Sequence, residues 1–193
     1  MSASGVPDPF GGILLARHGE TDDNVPPIRF QGFRDTPLND KGRAQAHELA
    51  ARIADDTEPI RSLWASDLSR ARETAEIVGA KIGLSPRLDA RLREANRGVW
   101  EGHLFKDIQR EDPERYGEWM RAGASFRFPG GESLQDQLDR VSAALEDIER
   151  AGELPALVVC HGGSIRVILC SRDPRGLDAF HQFEIPNVAV LRL

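Results

Sequence analysis

The sequence contains only two cysteines, Cys160 and Cys170, which is too few for the disulfide framework of a small secreted domain. No uninterrupted apolar run approaches the roughly 18 residues that a transmembrane helix needs. Residues 1–10 lack the basic stretch and apolar core of a secretory signal. These shortages argue against a disulfide-stapled scaffold and a transmembrane helix. We therefore expect the protein to lie in the reducing cytoplasm and to have no membrane partner.

Positive charge is also in short supply. The chain has 25 Lys and Arg against 31 Asp and Glu, for a net charge of −6. Proteins that bind nucleic acid without sequence preference need an excess of cations to contact phosphates, so no nucleic-acid partner is expected. Only three of the 25 cations are lysines, and the forked guanidinium of arginine suits the recognition of oxyanions.

The rest of the composition is that of one globular domain, with 193 residues of which 40% are hydrophobic. Short apolar runs predict four strands, at residues 13–16, 60–65, 157–160 and 188–193. Apolar residues at helical spacing predict amphipathic helices around residues 46–53, 71–82 and 134–148. Strands separated by helices imply crossover connections. The predicted fold class is therefore α/β, with a mainly parallel sheet and helices on both faces.

Residues 84–132 depart from this alternation, with three prolines and several glycine-rich joints. Six of the twelve aromatic residues of the chain lie between Trp100 and Phe128. We therefore predict a single domain over residues 1–193, with a small cap-like segment at about 98–131 over the C-terminal edge of the strands. The aromatic side chains either form a small core of the cap, which is the favoured alternative, or contact an organic part of a ligand.

Polar residues follow three of the predicted strands. They are Arg-His-Gly at 17–19, Ser-Asp and then an arginine at 66–70, and His-Gly-Gly at 161–163. Ligands of open α/β sheets bind beyond the carboxyl ends of the strands. Arginines hold oxyanions by charge-assisted hydrogen bonds, and an imidazole can act as a nucleophile. The residues themselves therefore predict a phosphate site at this edge of the sheet.

The first of these segments is part of a longer motif. Residues 17–24 read Arg-His-Gly-Glu-Thr-Asp-Asp-Asn, which resembles the R-H-G-x-T-x-x-N signature of the histidine phosphatase superfamily, the phosphoglycerate mutase-like proteins. In this composition such a motif is expected by chance about 2 times in 100,000. Further matches follow in the family's order, at residues 31–32, 38–42, 45–46, 66–74, 92–94 with Gly98, Glu101 and Gly102, 129–133 and 161–162.

The resemblance implies a role for each matched residue. His18 resembles the nucleophile that becomes a phosphohistidine. Glu94 resembles the general acid that protonates the leaving alkoxide and then deprotonates the attacking water. Candidate substrate contacts are Gln31 and Gly32, for which a simple turn is an equal alternative. The residues that would hold the phosphate oxygens are Arg17, Asn24, Arg70, His161 and Gly162.

These roles agree with the chemistry of phosphoryl transfer, which needs an in-line nucleophile, charge stabilisation on the equatorial oxygens and a proton for the leaving group. Arg17 and Arg70 are expected to lower the pKa of His18 and so keep one ring nitrogen free to attack. Because the arginines supply the positive charge and no cluster of Asp and His with metal-ligand spacing is visible, no metal and no cofactor are expected.

Three functions fit the motif. They are a phosphomonoester hydrolase for a small phosphorylated metabolite, a 2,3-bisphosphoglycerate-dependent phosphoglycerate mutase-type phosphotransferase, and a non-catalytic phospho-ligand-binding protein. The complete set of core residues disfavours the third. Mutases of this kind carry a longer insertion between the positions of Glu94 and His161, which are separated here by 66 residues. A metal-independent phosphatase is therefore predicted, while its substrate and the formation of a homodimer stay open.

The remaining histidines and Cys160 have simpler explanations. His47 lies on a predicted helix and is expected to be solvated, whereas His103 and His181 are expected to be structural. Cys160 directly precedes the His-Gly pair, where a buried structural thiol is favoured over a redox switch.

Overall fold

The computed structural model describes residues 10–121 and 123–193, and it confirms the predicted α/β class. A five-stranded sheet has the strand order β3-β2-β4-β1-β5. The inner strands pair in parallel, and β5 runs antiparallel to β1. The strands are β1 (Ile13–Arg17), β2 (Ser62–Ala65), β3 (Arg87–Leu88), β4 (Ala156–Cys160) and β5 (Val190–Arg192).

Helices connect these strands and begin at recognisable caps. Ser133 caps the helix α5 and forms a reciprocal capping box with Asp136. Gly83 ends α2 in a left-handed conformation, with φ of 76°. The α-helices are α1 (Asp40–Ala54), α2 (Ser69–Ile82), α3 (Phe105–Glu111), α4 (Pro113–Met120), α5 (Leu134–Ala151) and α6 (Gly162–Arg172).

Helices cover both faces of the sheet because the inner strands are apolar on both sides. Ile13 and Leu15 of β1 belong to a buried cluster with residues of α5 and α6. Leu14 and Ala16 point the other way and pack with residues of α1 and α2. Burial on both faces explains why the strands read as continuous apolar runs rather than as alternating ones.

The aromatic residues of the segment 98–131 form a third buried cluster. Trp100, Trp119, Phe126 and Phe128 pack on one another and against residues of α6. Most of the aromatic side chains thus form a local core, as the favoured alternative predicted. Phe105 also lines the cleft described below. The division into one domain with a cap at 98–131 stays a prediction.

Two edges of the sheet differ from the predicted strands. β3 has only two residues, both exposed, so no apolar pattern in the sequence predicts this strand. β5 covers Val190–Arg192 instead of the predicted 188–193, and Val188 has a positive φ of 53°, which lies outside the β region. No helix within residues 10–121 and 123–193 is long and apolar enough to cross a bilayer.

Candidate active site

The carboxyl ends of β1, β2 and β4 meet at one edge of the sheet, and a cleft of about 290 Å³ opens there. This volume is at the small end of the roughly 300–1,000 Å³ typical of small-molecule sites. The structure brings the predicted residues together at this edge. The cleft is lined by Arg17, His18, Asn24, Gln31, Gly32, Arg70, Glu94 and Gly162. His161 is completely buried beside His18, with ring centroids 5.1 Å apart.

His18 is held in one tautomer. Its Nδ1 lies 2.6 Å from the carbonyl oxygen of Gly19. A carbonyl only accepts hydrogen bonds, so Nδ1 carries the proton and a neutral ring keeps the lone pair of Nε2 free. Burial, and then the nearby charges of Arg70 and Arg17, hold the pKa of His18 well below its usual value of 6.5. The two arginines lower the pKa of His18 as expected, but burial lowers it more.

Arg70 is 1% exposed at the start of α2. It donates 2.9 Å hydrogen bonds to the backbone carbonyls of Gly32 and Arg34. Burial lowers the pKa of Arg70 to about 10, so the guanidinium is charged at neutral pH. Gly32 has a φ of +58°, and a Cβ at this position would lie 2.4 Å from a carboxylate oxygen of Glu101. The turn at Gly32 therefore positions the carbonyl that orients Arg70.

Within residues 10–121 and 123–193, three buried nitrogen atoms next to His18 have no hydrogen-bond partner. They are Nε of Arg17, Nε of Arg70 and Nδ1 of His161. Buried polar groups in folded proteins are almost always paired. Unpaired donors on two arginines beside a neutral histidine are best satisfied by a bound oxyanion.

His161 follows β4 and is the residue that caps α6. Its Nε2 lies 2.8 Å from the hydroxyl oxygen of Ser66. Burial, followed by the charge of Arg70, holds its pKa well below 6.5, so the ring is neutral. When the Ser66 hydroxyl donates to Nε2, the ring proton is on Nδ1, the atom without a partner. His161 then offers a neutral N–H donor rather than a positive charge.

Glu94 is fixed from several sides. Its Oε2 accepts from the backbone N–H of Gly163 at 2.9 Å, and its Oε1 accepts from Gln137 at 3.0 Å. Arg97 lies 3.6 Å away. Burial alone would raise the pKa of Glu94, but Arg97 and these donors outweigh it and lower the pKa to about 2. Without a ligand, Glu94 is therefore a carboxylate, the form that acts as a base.

The side chains of Asn24 and Gln31 use part of their hydrogen-bonding capacity on other residues of the protein. Asn24 Oδ1 accepts from the backbone of Thr21 and from Asn187, at 3.2 and 3.3 Å. Its amide nitrogen is therefore the group that can donate to an oxyanion. Gln31 donates to the hydroxyl of Thr21 at 2.9 Å, while its side-chain amide oxygen is buried and has no hydrogen-bond partner in the part of the chain that the structure describes.

The other histidines and Cys160 lie outside this constellation. His47 and His103 are exposed, and His181 bonds to the backbone carbonyl of Trp119 at 2.8 Å. Cys160 is 1% exposed, and burial raises the pKa of its thiol to about 12. In residues 10–121 and 123–193, no group of three or more His, Cys, Asp or Glu side chains is placed to hold a metal ion.

Three arginines that line the cleft, Arg29, Arg97 and Arg166, were not predicted from the sequence. Arg97 lies between the matched residues 92–94 and Gly98, and Arg166 lies on α6, four residues after Gly162. Residues four apart share a helix face, so the spacing from Gly162 could have indicated that Arg166 faces the site. No comparable signal exists for Arg97, which follows an irregular loop.

The comparison with known families agrees with the geometry of the site. Residues 13–193 match the model of the histidine phosphatase superfamily (branch 1). The chain therefore belongs to this superfamily, as the motif resemblance predicted.

Relatives within the superfamily include one named as a probable mutase and one named as a phosphatase. The probable phosphoglycerate mutase GpmB of Escherichia coli (strain K12 / DH10B) is 39% identical over 152 residues, which are 78% of this chain and 69% of the relative. The structure of YhfR from Bacillus stearothermophilus has a TM-score of 0.83 at 31% identity, covering 92% of this chain and 88% of that one. A mycobacterial glucosyl-3-phosphoglycerate phosphatase has a TM-score of 0.80 at 30% identity, with 92% and 87% covered.

Proposed function

We propose that this protein is a phosphomonoester hydrolase that acts on a small phosphorylated metabolite through a phosphohistidine at His18. The observation that carries the proposal is the tautomer of His18. Its Nδ1 is tied to the carbonyl of Gly19, and its free Nε2 belongs to a ring buried beside Arg17 and Arg70. A neutral nucleophile next to fixed positive charge is what attack on a phosphate ester requires.

In the first step, Nε2 of His18 attacks phosphorus, and the bond from phosphorus to the ester oxygen breaks. Arg17, Arg70 and His161 donate to the phosphoryl oxygens, and Glu94 gives a proton to the leaving alkoxide. In the second step, water attacks the phosphohistidine, Glu94 takes a proton from that water, and the bond from phosphorus to nitrogen breaks. The products are the alcohol and inorganic phosphate, and His18 returns to its free form.

Glu94 must be protonated to act as the acid, although Arg97 and its hydrogen-bond donors lower its pKa to about 2. A bound phosphate dianion brings about two negative charges beside the carboxylate. Like charge at close range raises a carboxyl pKa. Substrate binding therefore moves Glu94 toward the protonated form, with the proton supplied by solvent or by a monoanionic ester.

A phosphatase is favoured over a mutase by the short chain between Glu94 and His161. A mutase must retain the phosphoryl group and exclude water until a second hydroxyl accepts it. Only 66 residues lie between the two positions, and many of their aromatic side chains pack into a local core. Little of the segment is left to close over the cleft.

The test is a panel of nucleotides, sugar phosphates, phosphoglycerates and aryl phosphates, with phosphate release and phosphoglycerate isomerisation measured side by side. We expect phosphate release from at least one class, faster than any isomerisation. Isomerisation that outpaces phosphate release would establish the mutase instead. Binding of phosphoesters without turnover of any would establish a non-catalytic binding protein.

Turnover is expected to be independent of divalent metal ions, since Arg17 and Arg70 supply the charge that a metal would provide. Prolonged treatment with a chelator should leave the rate unchanged. Vanadate should inhibit by occupying the site as a trigonal-bipyramidal analogue of the transition state. A rate lost on chelation and restored by one specific metal would contradict this mechanism.

The free energy of unfolding is expected to decrease as the pH is lowered from 7.5 to 5.5. His18 and His161 have pKa values well below 6.5 in the folded chain, whereas unfolded histidine titrates near 6.5. Below that pH the unfolded chain binds more protons, and each buried neutral histidine lowers the free energy of unfolding by about 1.4 kcal/mol per pH unit. Carboxylates with lowered pKa values change the free energy of unfolding only at pH values below this range.

Denaturant unfolding in phosphate-free buffer at the two pH values measures the effect. His161→Gln should reduce the difference between the two pH values, and His47→Gln, at an exposed position, should not. Equal free energies of unfolding at both pH values in the wild type would show that the buried rings are not neutral.

A further inference from the structure

The two carboxylate oxygens of Glu94 have different surroundings. Oε1 accepts from the backbone N–H of Ala95 at 2.9 Å and from the side-chain amide of Gln137 at 3.0 Å. Oε2 accepts from the backbone N–H of Gly163 at 2.9 Å. Each oxygen of a carboxylate offers about two lone pairs to hydrogen-bond donors. Among the hydrogen bonds of residues 10–121 and 123–193, both lone pairs of Oε1 are therefore used, whereas Oε2 keeps one.

The orientation of the Gln137 amide follows from a second neighbour. Its Nε2 also lies 3.3 Å from the hydroxyl oxygen of Ser164. Ser164 donates its single hydroxyl hydrogen to the backbone carbonyl of Arg93 at 2.9 Å, so it can only accept from Gln137. The carboxylate of Glu94 also only accepts. Two acceptors on one side of the amide require its nitrogen on that side and its oxygen on the other.

Packing alone does not explain a glutamine at this position. Gln137 lies on α5 and is completely buried, yet its Oε1 has no hydrogen-bond partner in the described part of the chain. A buried polar atom without a partner is unfavourable. A methionine would fill a similar volume without such an atom. What the glutamine adds is the N–H donor that contacts Glu94.

We propose that Gln137 is a positioning residue of the proposed hydrolysis, on which this inference rests, and that it makes Oε2 the oxygen of Glu94 that carries the catalytic proton. A proton on Oε1 displaces the hydrogen bond from Ala95 or from Gln137, whereas a proton on Oε2 displaces neither. In the first step, the O–H bond at Oε2 breaks as the proton passes to the ester oxygen. In the second step, Oε2 takes a proton from the attacking water.

The same hydrogen bond affects how readily Glu94 is protonated. Burial raises the pKa of Glu94, but Arg97, the N–H groups of Gly163 and Ala95, and Gln137 together lower it to about 2. Gln137→Met removes one of these donors and should raise the pKa. The variant keeps the other charged or titratable side chains that interact with Glu94, which are Arg17, Arg70, Arg140, His18 and Cys160.

A titration measures this effect without turnover. The glutamates are labelled with carbon-13 at Cδ, the protein is saturated with inorganic phosphate, and the NMR signal absent from Glu94→Gln identifies Glu94. We expect the midpoint in Gln137→Met to lie about one pH unit or more above that of the wild type, the magnitude of a hydrogen bond to a charged group. Identical titrations of Glu94 in the two proteins would overturn the inference.

Gln135→Met is the matched control for this substitution. Gln135 is an exposed glutamine of the same helix, and its amide donates to Asp139 at 2.7 Å. The variant therefore loses the same chemical groups without altering the contacts of Glu94. Its titration should coincide with that of the wild type, and a shift equal to that of Gln137→Met would contradict a specific effect of Gln137.

Single-turnover kinetics test the choice of oxygen. The rate of phosphoenzyme formation is followed against pH with 3-phosphoglycerate, an alkyl ester, and with 4-nitrophenyl phosphate. In Gln137→Met the alkyl rate should fall about two-fold or more at its acid plateau, because the proton is then divided between two oxygens. Its basic limb should move up by about one pH unit. The nitrophenyl rate should show neither change. An equal fall for both esters with an unmoved limb would give Gln137 a merely structural role.

Ser164→Ala tests the orientation of the amide and carries the test if Gln137→Met does not fold. It removes the acceptor that holds the nitrogen of Gln137 toward Glu94, so the amide can turn and accept a proton from Oε1. Both changes in the alkyl profile are expected again, each smaller than in Gln137→Met, and a wild-type profile would contradict the assigned orientation. Circular dichroism and thermal melting verify that each variant is folded. An enzyme that hydrolyses neither ester would defeat the proposed function, and the titration of Glu94 would still decide the role of Gln137.

Discussion

His18→Ala is expected to lower turnover by roughly three orders of magnitude or more, because the variant loses the nucleophile and with it the covalent route. Rapid mixing of wild-type enzyme with a radiolabelled phosphomonoester, followed by denaturation, should trap label on the protein. A phosphohistidine is stable to alkali and labile to acid, so the two treatments identify the bond. The variant should carry no label.

His47→Ala is the matched control, since His47 is an exposed histidine on α1 and is not among the described residues that line the cleft. It should be labelled and should turn over like the wild type. Turnover near the wild-type rate in His18→Ala, or equal labelling of that variant, would remove His18 from the mechanism. Binding of a phosphoester by His18→Ala should persist, because Arg17 and Arg70 are still present.

Glu94→Gln is expected to slow the formation of the phosphoenzyme by about 100-fold or more on alkyl phosphates, the usual scale of general acid catalysis. An alkoxide is strongly basic and needs a proton as it leaves, whereas a nitrophenolate hardly does. The same step with a nitrophenyl phosphate should therefore suffer much less. Single-turnover rapid mixing isolates this step, since steady-state rates also include dephosphorylation, where Glu94 would be the base.

Equal losses for alkyl and nitrophenyl esters in that step would assign Glu94 to positioning and not to proton donation. Glu101→Gln provides a comparison with a neighbouring carboxylate. Glu101 accepts from the backbone N–H groups of Phe33 and Arg97, so its loss is expected to affect both ester types to the same extent. If only Glu94→Gln slows phosphoenzyme formation more for alkyl than for nitrophenyl esters, Glu94 is the general acid.

The fold was predictable from the sequence wherever residues are buried in a regular pattern. The inner strands and the helices α1, α2 and α5 appear as apolar runs or as helical periodicities, because burial on a sheet or along one helix face restricts the residue type at each position. β3 was not predictable, since its two residues are exposed and pairing at an edge imposes no such restriction.

The site was predictable as far as it lies in continuous motifs that follow strands. Arg17 and His18 come directly after β1, and His161 after β4, so the parallel topology alone brings them to one edge. Arg97 was missed because its significance depends on charges from separate segments, whereas the four-residue spacing from Gly162 could have indicated Arg166. The pKa of Glu94 was out of reach for the same reason, since Arg97, Gly163 and Gln137 set it jointly.

The unpaired nitrogens of Arg17, Arg70 and His161 also bear on the stability of the folded chain. A buried donor that lacks a hydrogen-bond partner lowers the free energy of unfolding. A bound oxyanion stabilises only the folded state, by an amount that grows with its concentration. Under the proposed function, the free energy of unfolding therefore rises with the concentration of the protein's own substrate and product.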